Sequence, residues 1–315
     1  MSVLLLALLL CGVGSRFTGL LAGPRDGRGY RLALAFLAGL LSLHLLQTSF
    51  DLLGIRWSRG SLGLGLLALA LLGHRFAPRP RDEAAAFRSD VGWGDAVALA
   101  ALAVFAALAP TLWITTPDWA YHWGLKGHRF FLAGGIDYEL LARPWNASLH
   151  PDYPNLLPDL YAATALFAGR FAAPDLMLWS GLFCALLLVA AREVLRGAGV
   201  DRGARQATTA LLGLLAGGFA LRQLAAGSAD WPLALAFVLA LPALLGVRRA
   251  GRATDGTPRV DWSPARKPSR LGAGAGDPVA ERAAERQLGL AAALAAAAKI
   301  EGVALAAILI AVHAL

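Results

Sequence analysis

The residues best suited to chemistry crowd into one stretch, positions 116 to 155. Asp118, His122, Lys126, Arg129, Asp137, Glu139, Arg143, His150 and Asp152 all lie there, interleaved with Trp119, Trp123, Phe130 and Tyr153. A carboxylate in such company can take a proton from an attacking hydroxyl, and the cations can steady a departing phosphate. At about 100° per residue, Asp118, His122, Lys126 and Arg129 share one face of a helix, with Trp119, Trp123 and Phe130 on the adjacent face. Thr116-Pro117-Asp118 reads as the start of that helix and Gly134-Gly135 as its stop. A helix polar on one side and aromatic on the other suits a membrane–water interface, which is where we expect it. A plainer reading stands beside this one. An Asp in a first helical turn complements the helix dipole, and His150-Pro151-Asp152-Tyr153-Pro154 makes a rigid turn into the next apolar segment.

A metal is a separate question. Asp118 and His122 are spaced i, i+4, and Asp137, Glu139, His150 and Asp152 share their loop. None of these spacings is diagnostic of a metal site, so the need for a divalent cation stays open.

The elements that must position this stretch follow from composition. Of 315 residues, 57% are hydrophobic and only 16% charged, against roughly a quarter charged in soluble domains. Mean hydropathy is +0.57. The pattern predicts an all-α polytopic membrane protein and argues against a soluble enzyme. The net charge of +8 is scattered in short blocks between apolar runs, which gives nothing to grip a nucleic acid. The two cysteines, Cys11 and Cys184, both lie in apolar runs and exclude a disulfide framework.

About eight spans are expected. The clearest are 32–50, 96–115, 176–191, 206–221 and 231–247; shorter or interrupted ones are 1–22, 60–73 and 287–315. Lys and Arg number three in 23–31, four in 74–94, four in 192–205 and nine in 248–286. The positive-inside rule assigns these loops to the cytoplasm of a multi-pass protein of the cell membrane. The 116–155 loop, with three basic and four acidic residues, then faces outward. The scheme requires that 155–170 does not fully span, and Pro154, Pro158, Asp159 and Tyr161 favour a partial helix there. Residues 248–286, rich in Gly, Pro and Arg, are expected to form a flexible cytoplasmic linker. The chain stops at Leu315 within an apolar run and is expected to be truncated, or at least to lack a C-terminal domain.

The order of motifs resembles a known group. An acidic residue follows an outward-going helix, an interfacial helix comes next, and His150 to Tyr153 lead into a partial helix. Then come Gly227-Ser228-Ala229-Asp230-Trp231-Pro232 and Lys299-Ile300-Glu301-Gly302. This order resembles the membrane-embedded glycosyltransferases of the C superfold (GT-C). Within it, the nearest likeness is to protein O-mannosyltransferases, aminoarabinose transferases and dolichyl-phosphate-mannose-type enzymes (glycosyltransferase family 39-like). The resemblance covers about residues 95–315 as the core and leaves 1–94, with three expected spans and a cytoplasmic loop, unexplained.

The resemblance implies a membrane glycosyltransferase that moves a sugar from a polyprenyl-phosphate donor to an acceptor hydroxyl, with inversion. Asp118 stands at the position of the catalytic acid. His150, Lys126, Arg129 and Arg143 form the cation pool for the donor phosphate, His150 favoured by its motif. His122, Asp152, Tyr153, Asp230, Lys299 and Glu301 are supporting candidates. Relatives of this kind often carry two adjacent acids in the first loop, whereas Trp119 follows Asp118 here. Two other classes compete: a transporter or flippase, and a non-catalytic protein retaining the fold. The first predicts inverted repeats and ionisable residues in mid-span.

Overall fold

The computed structural model describes residues 2–22, 27–76, 91–108, 118–143, 146, 153–215, 229–254, 278–298, 302 and 306–307. Every regular element among them is helical. In chain order they are α1 (Ser2–Ser15), a single turn α2 (Thr18–Leu21), α3 (Arg28–Leu52), α4 (Arg59–Phe76) and α5 (Trp93–Leu108). A π turn (Trp119–Trp123) runs into α6 (Gly124–Ala133), followed by α7 (Tyr138–Ala142), α8 (Leu156–Ala168), α9 (Ala173–Leu176) and α10 (Leu178–Gly197). Last come α11 (Arg202–Leu214), α12 (Asp230–Thr254) and α13 (Pro278–Ala298). A described helix overlaps each of the eight apolar runs. Among the described residues, two stretches are long and apolar enough to cross a membrane, Arg28–Leu52 and Ala173–Gly197.

Helix α3 is the axis of the assembly. Its 25 residues give a rod about 37 Å long, and α1, α4, α8, α10, α12 and α13 all pack on it. Its apolar stripe, including Phe36, Leu37, Leu40 and Leu43, is buried. The α1–α3 crossing is close because two glycines meet it. A Cβ on Gly14 would fall 1.8 Å from the Ala35 carbonyl oxygen, and one on Gly39 would fall 2.0 Å from that of Leu10. Small residues of this kind let helix backbones touch. On the opposite flank, Trp179 and Phe183 of α10 pack on Phe36, with ring centroids 6.1 and 5.5 Å away.

Helix α8 departs most from an exposed amphipathic pattern. Every residue from Leu156 to Ala165 is buried. Its 13 residues span about 20 Å, shorter than a hydrocarbon core. The chain leaves it at Gly169, whose φ of +76° glycine adopts without a Cβ clash. Thr164 accepts the Trp179 indole N–H at 2.9 Å, which fixes α8 against α10.

The two ends of α3 are built differently. Near Arg28, Asp95 pairs with Arg192 at 2.9 Å and receives the Gln206 amide at 3.0 Å. Gln206 in turn accepts from the Gly94 N–H at 2.8 Å. At the Asp51 end lie the α3–α4 turn, α6, α7 and the C-terminal end of α8. There the Trp57 N–H donates to the Gly134 carbonyl at 2.6 Å.

Candidate functional site

The stretch singled out by its chemistry folds as a helix over α8. It ends at Gly134, in the left-handed region with φ 68°, where the Gly134-Gly135 pair predicts the stop. Thr116 and Pro117 lie outside the described residues. The first turn is a π helix, Trp119–Trp123, a rare form that recurs at functional sites. The aromatic face is packed against protein rather than left open to its surroundings. Trp119, Trp123 and Phe130 are buried, with Trp119 edge-on to Tyr161 at 5.0 Å and Phe130 edge-on to Trp57 at 6.2 Å. Sequence periodicity gives a face but not its partner. The partner here is α8, more than thirty residues on, and Gly127 allows the approach: a Cβ there would meet that of Tyr161 at 2.9 Å.

The polar face descends from surface to interior. Asp118 is exposed and its side chain caps nothing. One turn on, His122 is buried, its ring 4.2 Å from that of Trp123 and 5.0 Å from that of Tyr153. A further turn on, Lys126 is wholly buried. Its charge acts on Asp159, a carboxyl on α8 that is also buried, and so does that of Asp51. The Asp159 Oδ2 lies 2.7 Å from His44 Nδ1 of α3. Gln47 donates its amide to the Asp159 carbonyl at 3.1 Å, and the Gln47 carbonyl accepts the Trp57 indole N–H at 3.0 Å. His122, Lys126 and Tyr153 are therefore gathered near one another, above a carboxyl–imidazole pair.

The arginines of the same stretch face carboxylates. Arg129 meets Asp137 at 2.7 Å, and Asp137 also accepts from the Leu140 N–H at 2.9 Å to cap α7. Arg143 pairs with Glu139 one turn back on an exposed surface. Asp51 accepts from the Ile136 N–H at 3.0 Å and from the Tyr138 hydroxyl. That hydrogen bond to a carboxylate pushes the Tyr138 phenol up to about 12, with desolvation adding to it.

Of the other candidates, Asp230 is exposed at the start of α12. His150, Asp152, Lys299 and Glu301 lie outside the described residues. Among the described residues no group of three or more His, Cys, Asp or Glu side chains is placed to hold a metal ion. His44, Gln47 and Asp51 stand outside the site expected from sequence, where Asp159 counts only as a sign of a partial helix. Their signal is present: 44, 47 and 51 stand at i, i+3 and i+7 of a largely apolar helix, one polar stripe on a face.

Comparison with known protein families, with characterised proteins and with solved structures finds no match.

Proposed function

We propose that this chain is a polytopic membrane protein with a GT-C-like bundle of about eight spans. It acts as a glycosyltransferase, moving a sugar from a polyprenyl-phosphate donor to an acceptor hydroxyl on the extracytoplasmic side, with inversion. The observation that carries the reading is the π turn and α6, which set Asp118 at the surface and His122 and Lys126 progressively deeper, over a polar cluster at one end of an apolar bundle. Exposed leucines support the bilayer as surroundings: Leu4, Leu5 and Leu8 on α1, and Leu64, Leu67 and Leu71 on α4. Apolar surface of that extent is covered by lipid or by a partner.

In this reading Asp118 takes the acceptor proton as the new bond to the anomeric carbon forms. The bond from that carbon to the phosphate oxygen breaks, and the electron pair leaves with the lipid phosphate. Of the cations proposed for that phosphate, His150 holds the motif position, and Lys126, wholly buried and acting on Asp159, must turn from that carboxyl to serve. Arg129 and Arg143 already face carboxylates, so a phosphate must displace Asp137 or Glu139 to use them. Purified protein in lipid nanodiscs, given undecaprenyl-phosphate-linked sugars and a polyol acceptor, should release undecaprenyl phosphate. Absence of release across glucose, mannose and aminoarabinose donors would count against the reading. One observation favours a second reading: Lys126, Asp159 and His44 are ionisable groups inside the bundle, as in proton-coupled transporters. That reading predicts flux across sealed vesicles without covalent turnover.

A further inference from the structure

Helix α3 is closed at its Asp51 end by a fixed turn that holds apolar side chains outward. The Gly54 N–H donates to the Asp51 carbonyl at 3.1 Å and the Ile55 N–H to that of Phe50 at 2.7 Å, with Gly54 at φ 68°. A left-handed glycine ends a helix with this pair of bonds. Beyond it, Ser58 and Ser61 exchange backbone-to-hydroxyl bonds at 2.9 and 3.0 Å and start α4. Between the two, Trp57 is buried, its backbone N–H on the Gly134 carbonyl at 2.6 Å and its indole on that of Gln47 at 3.0 Å. The tip of this pinned turn is Leu52, Leu53 and Ile55, which are 80%, 72% and 41% exposed. Single exposed leucines need no explanation, but three apolar side chains on one rigid tip mark a contact surface.

The neighbours of the tip indicate what covers it. Leu45 and Leu52 stand at i and i+7 of α3 and are both exposed, so the tip continues an apolar face. Ser49, between them, returns its hydroxyl to the Leu45 carbonyl at 2.7 Å. From Arg31 to Asp51 the helix rises about 30 Å, the thickness of a hydrocarbon core. A bilayer that meets Arg31 at one headgroup boundary therefore meets the tip at the other. Trp93 near the first end and Tyr138 at the second are exposed, at the two levels where membrane proteins carry such rings. Arg56 and Arg59 flank the tip, exposed, and neither pairs with a carboxylate among the described residues. Arg59 donates to the Leu166 carbonyl at 3.4 Å. Asp51 is already taken by the Ile136 N–H and the Tyr138 hydroxyl. An apolar tip beside surplus positive charge is complementary to acyl chains beneath phosphates.

We propose that the α3–α4 turn is a phospholipid anchor. Leu52, Leu53 and Ile55 enter the headgroup–acyl boundary of one leaflet, and Arg56 and Arg59 meet its phosphates. The proposal rests on the bilayer part of the reading above and not on the transferase chemistry. Because Trp57 joins the turn to the end of α6, the anchor also sets the height of that helix, and of Asp118, over the leaflet.

The test places single labels on the full chain. Cys11→Ala removes the half-buried thiol, and Cys184 is buried. Leu53→Cys, Leu67→Cys on α4 and Ala198→Cys beyond α10 then carry an environment-sensitive fluorophore at exposed positions, where labelling disturbs no packing. Quenching is read in nanodiscs of phosphatidylcholine and phosphatidylglycerol, with iodide in the water or a nitroxide on the lipid, either near the headgroup or deep in the chain. Leu53 should be quenched most by the shallow nitroxide, Leu67 by the deep one and Ala198 by iodide. Arg56→Gln should lower the preference of the Leu53 label for a nitroxide on phosphatidylglycerol over one on phosphatidylcholine by about two- to fivefold. An unchanged preference overturns the phosphate contact. Iodide reaching Leu53 as it reaches Ala198 overturns the anchor, while deep quenching of Leu67 in parallel leaves the bilayer reading standing. A Leu53 label shielded from iodide and nitroxide alike marks a protein partner or a second copy and overturns the anchor too. Iodide reaching Leu67 as well removes the anchor and the bilayer together.

Discussion

The two ends of α3 carry polar clusters of opposite character. Near Arg28, Asp95 has partners on both oxygens: Arg192 at 2.9 Å on one, with the Gly92 N–H at 2.8 Å and the Gln206 amide at 3.0 Å on the other. Gln206 spends its carbonyl on the N–H groups of Gly94 and Asp95. At the other end, Asp159, Gln47 and Asn155 each keep a buried oxygen without a donor. The first cluster ties α5, α10 and α11 together, and the second joins α3 to α8 through His44 and Asp159 with the buried Lys126 acting on the same carboxyl.

Substitutions can break that contrast, and the largest effect is expected at Asp118. Asp118→Asn keeps the shape but cannot take a proton. Turnover of a polyprenyl-phosphate hexose should fall by about 10²- to 10⁴-fold, while thermal unfolding hardly moves, because the side chain is exposed and caps nothing. Near-normal turnover would mark Asp118 as a helix-start residue and send the search for the base elsewhere. At the first cluster the effects should reverse. Asp95→Ala leaves Arg192 and Gln206 without their carboxylate in a half-buried place. It should cost about 1–3 kcal/mol of stability, read as a lower midpoint in a detergent melt, with turnover per folded molecule unchanged. An equal loss of turnover would mean that the two ends are coupled rather than separate.

Asp159→Asn sharpens the comparison from the other side. The amide fills the same volume and removes a charge that Lys126 had balanced. Because it takes the carboxylate from beside the wholly buried Lys126, we expect a larger loss of stability than for Asp95→Ala, read in the same detergent melt. A variant that melts like the wild type would mean that Asp159 is not held as an anion beside Lys126.

Part of this arrangement could be read from the chain. Apolar runs set the helices, because turns rich in Gly, Pro and charge bound them. The stop at Gly134 follows from its need for a positive φ. The Glu139–Arg143 pair is a one-turn spacing visible in the sequence. What escaped depends on distant partners. The aromatic face of 119–130 reads as an interfacial face until α8 is known to lie beneath it. His44, Gln47 and Asp51 look like isolated polar residues in an apolar run until their i, i+3, i+7 stripe is seen to meet Asp159 and the α6–α7 turn. Period shows which side of a helix is different; it does not show what that side will meet.

The smallest expected effect lies on the rim of the second cluster, at Tyr138. Its phenol donates to Asp51, and the carboxylate pushes it up to about 12 from an ordinary value of 10. Because the folded state holds this proton more tightly than the unfolded chain does, the contribution is fully present below pH 10. It is lost as pH rises from 10 through about 12. The ring is largely exposed, at 58%, so solvent screens the interaction and leaves about 0.5 kcal/mol or less. Melts of the wild type and Tyr138→Phe should differ slightly at pH 8 and converge by pH 12, other phenols and amines cancelling in the difference. Asp51 also accepts the Ile136 N–H, so Asp51→Asn should lower stability at every pH while removing the same pH-dependent difference. A gap that widens above pH 10 would mean that the phenolate, not the phenol, is the form the fold prefers, and that Asp51 does not face Tyr138 as an anion.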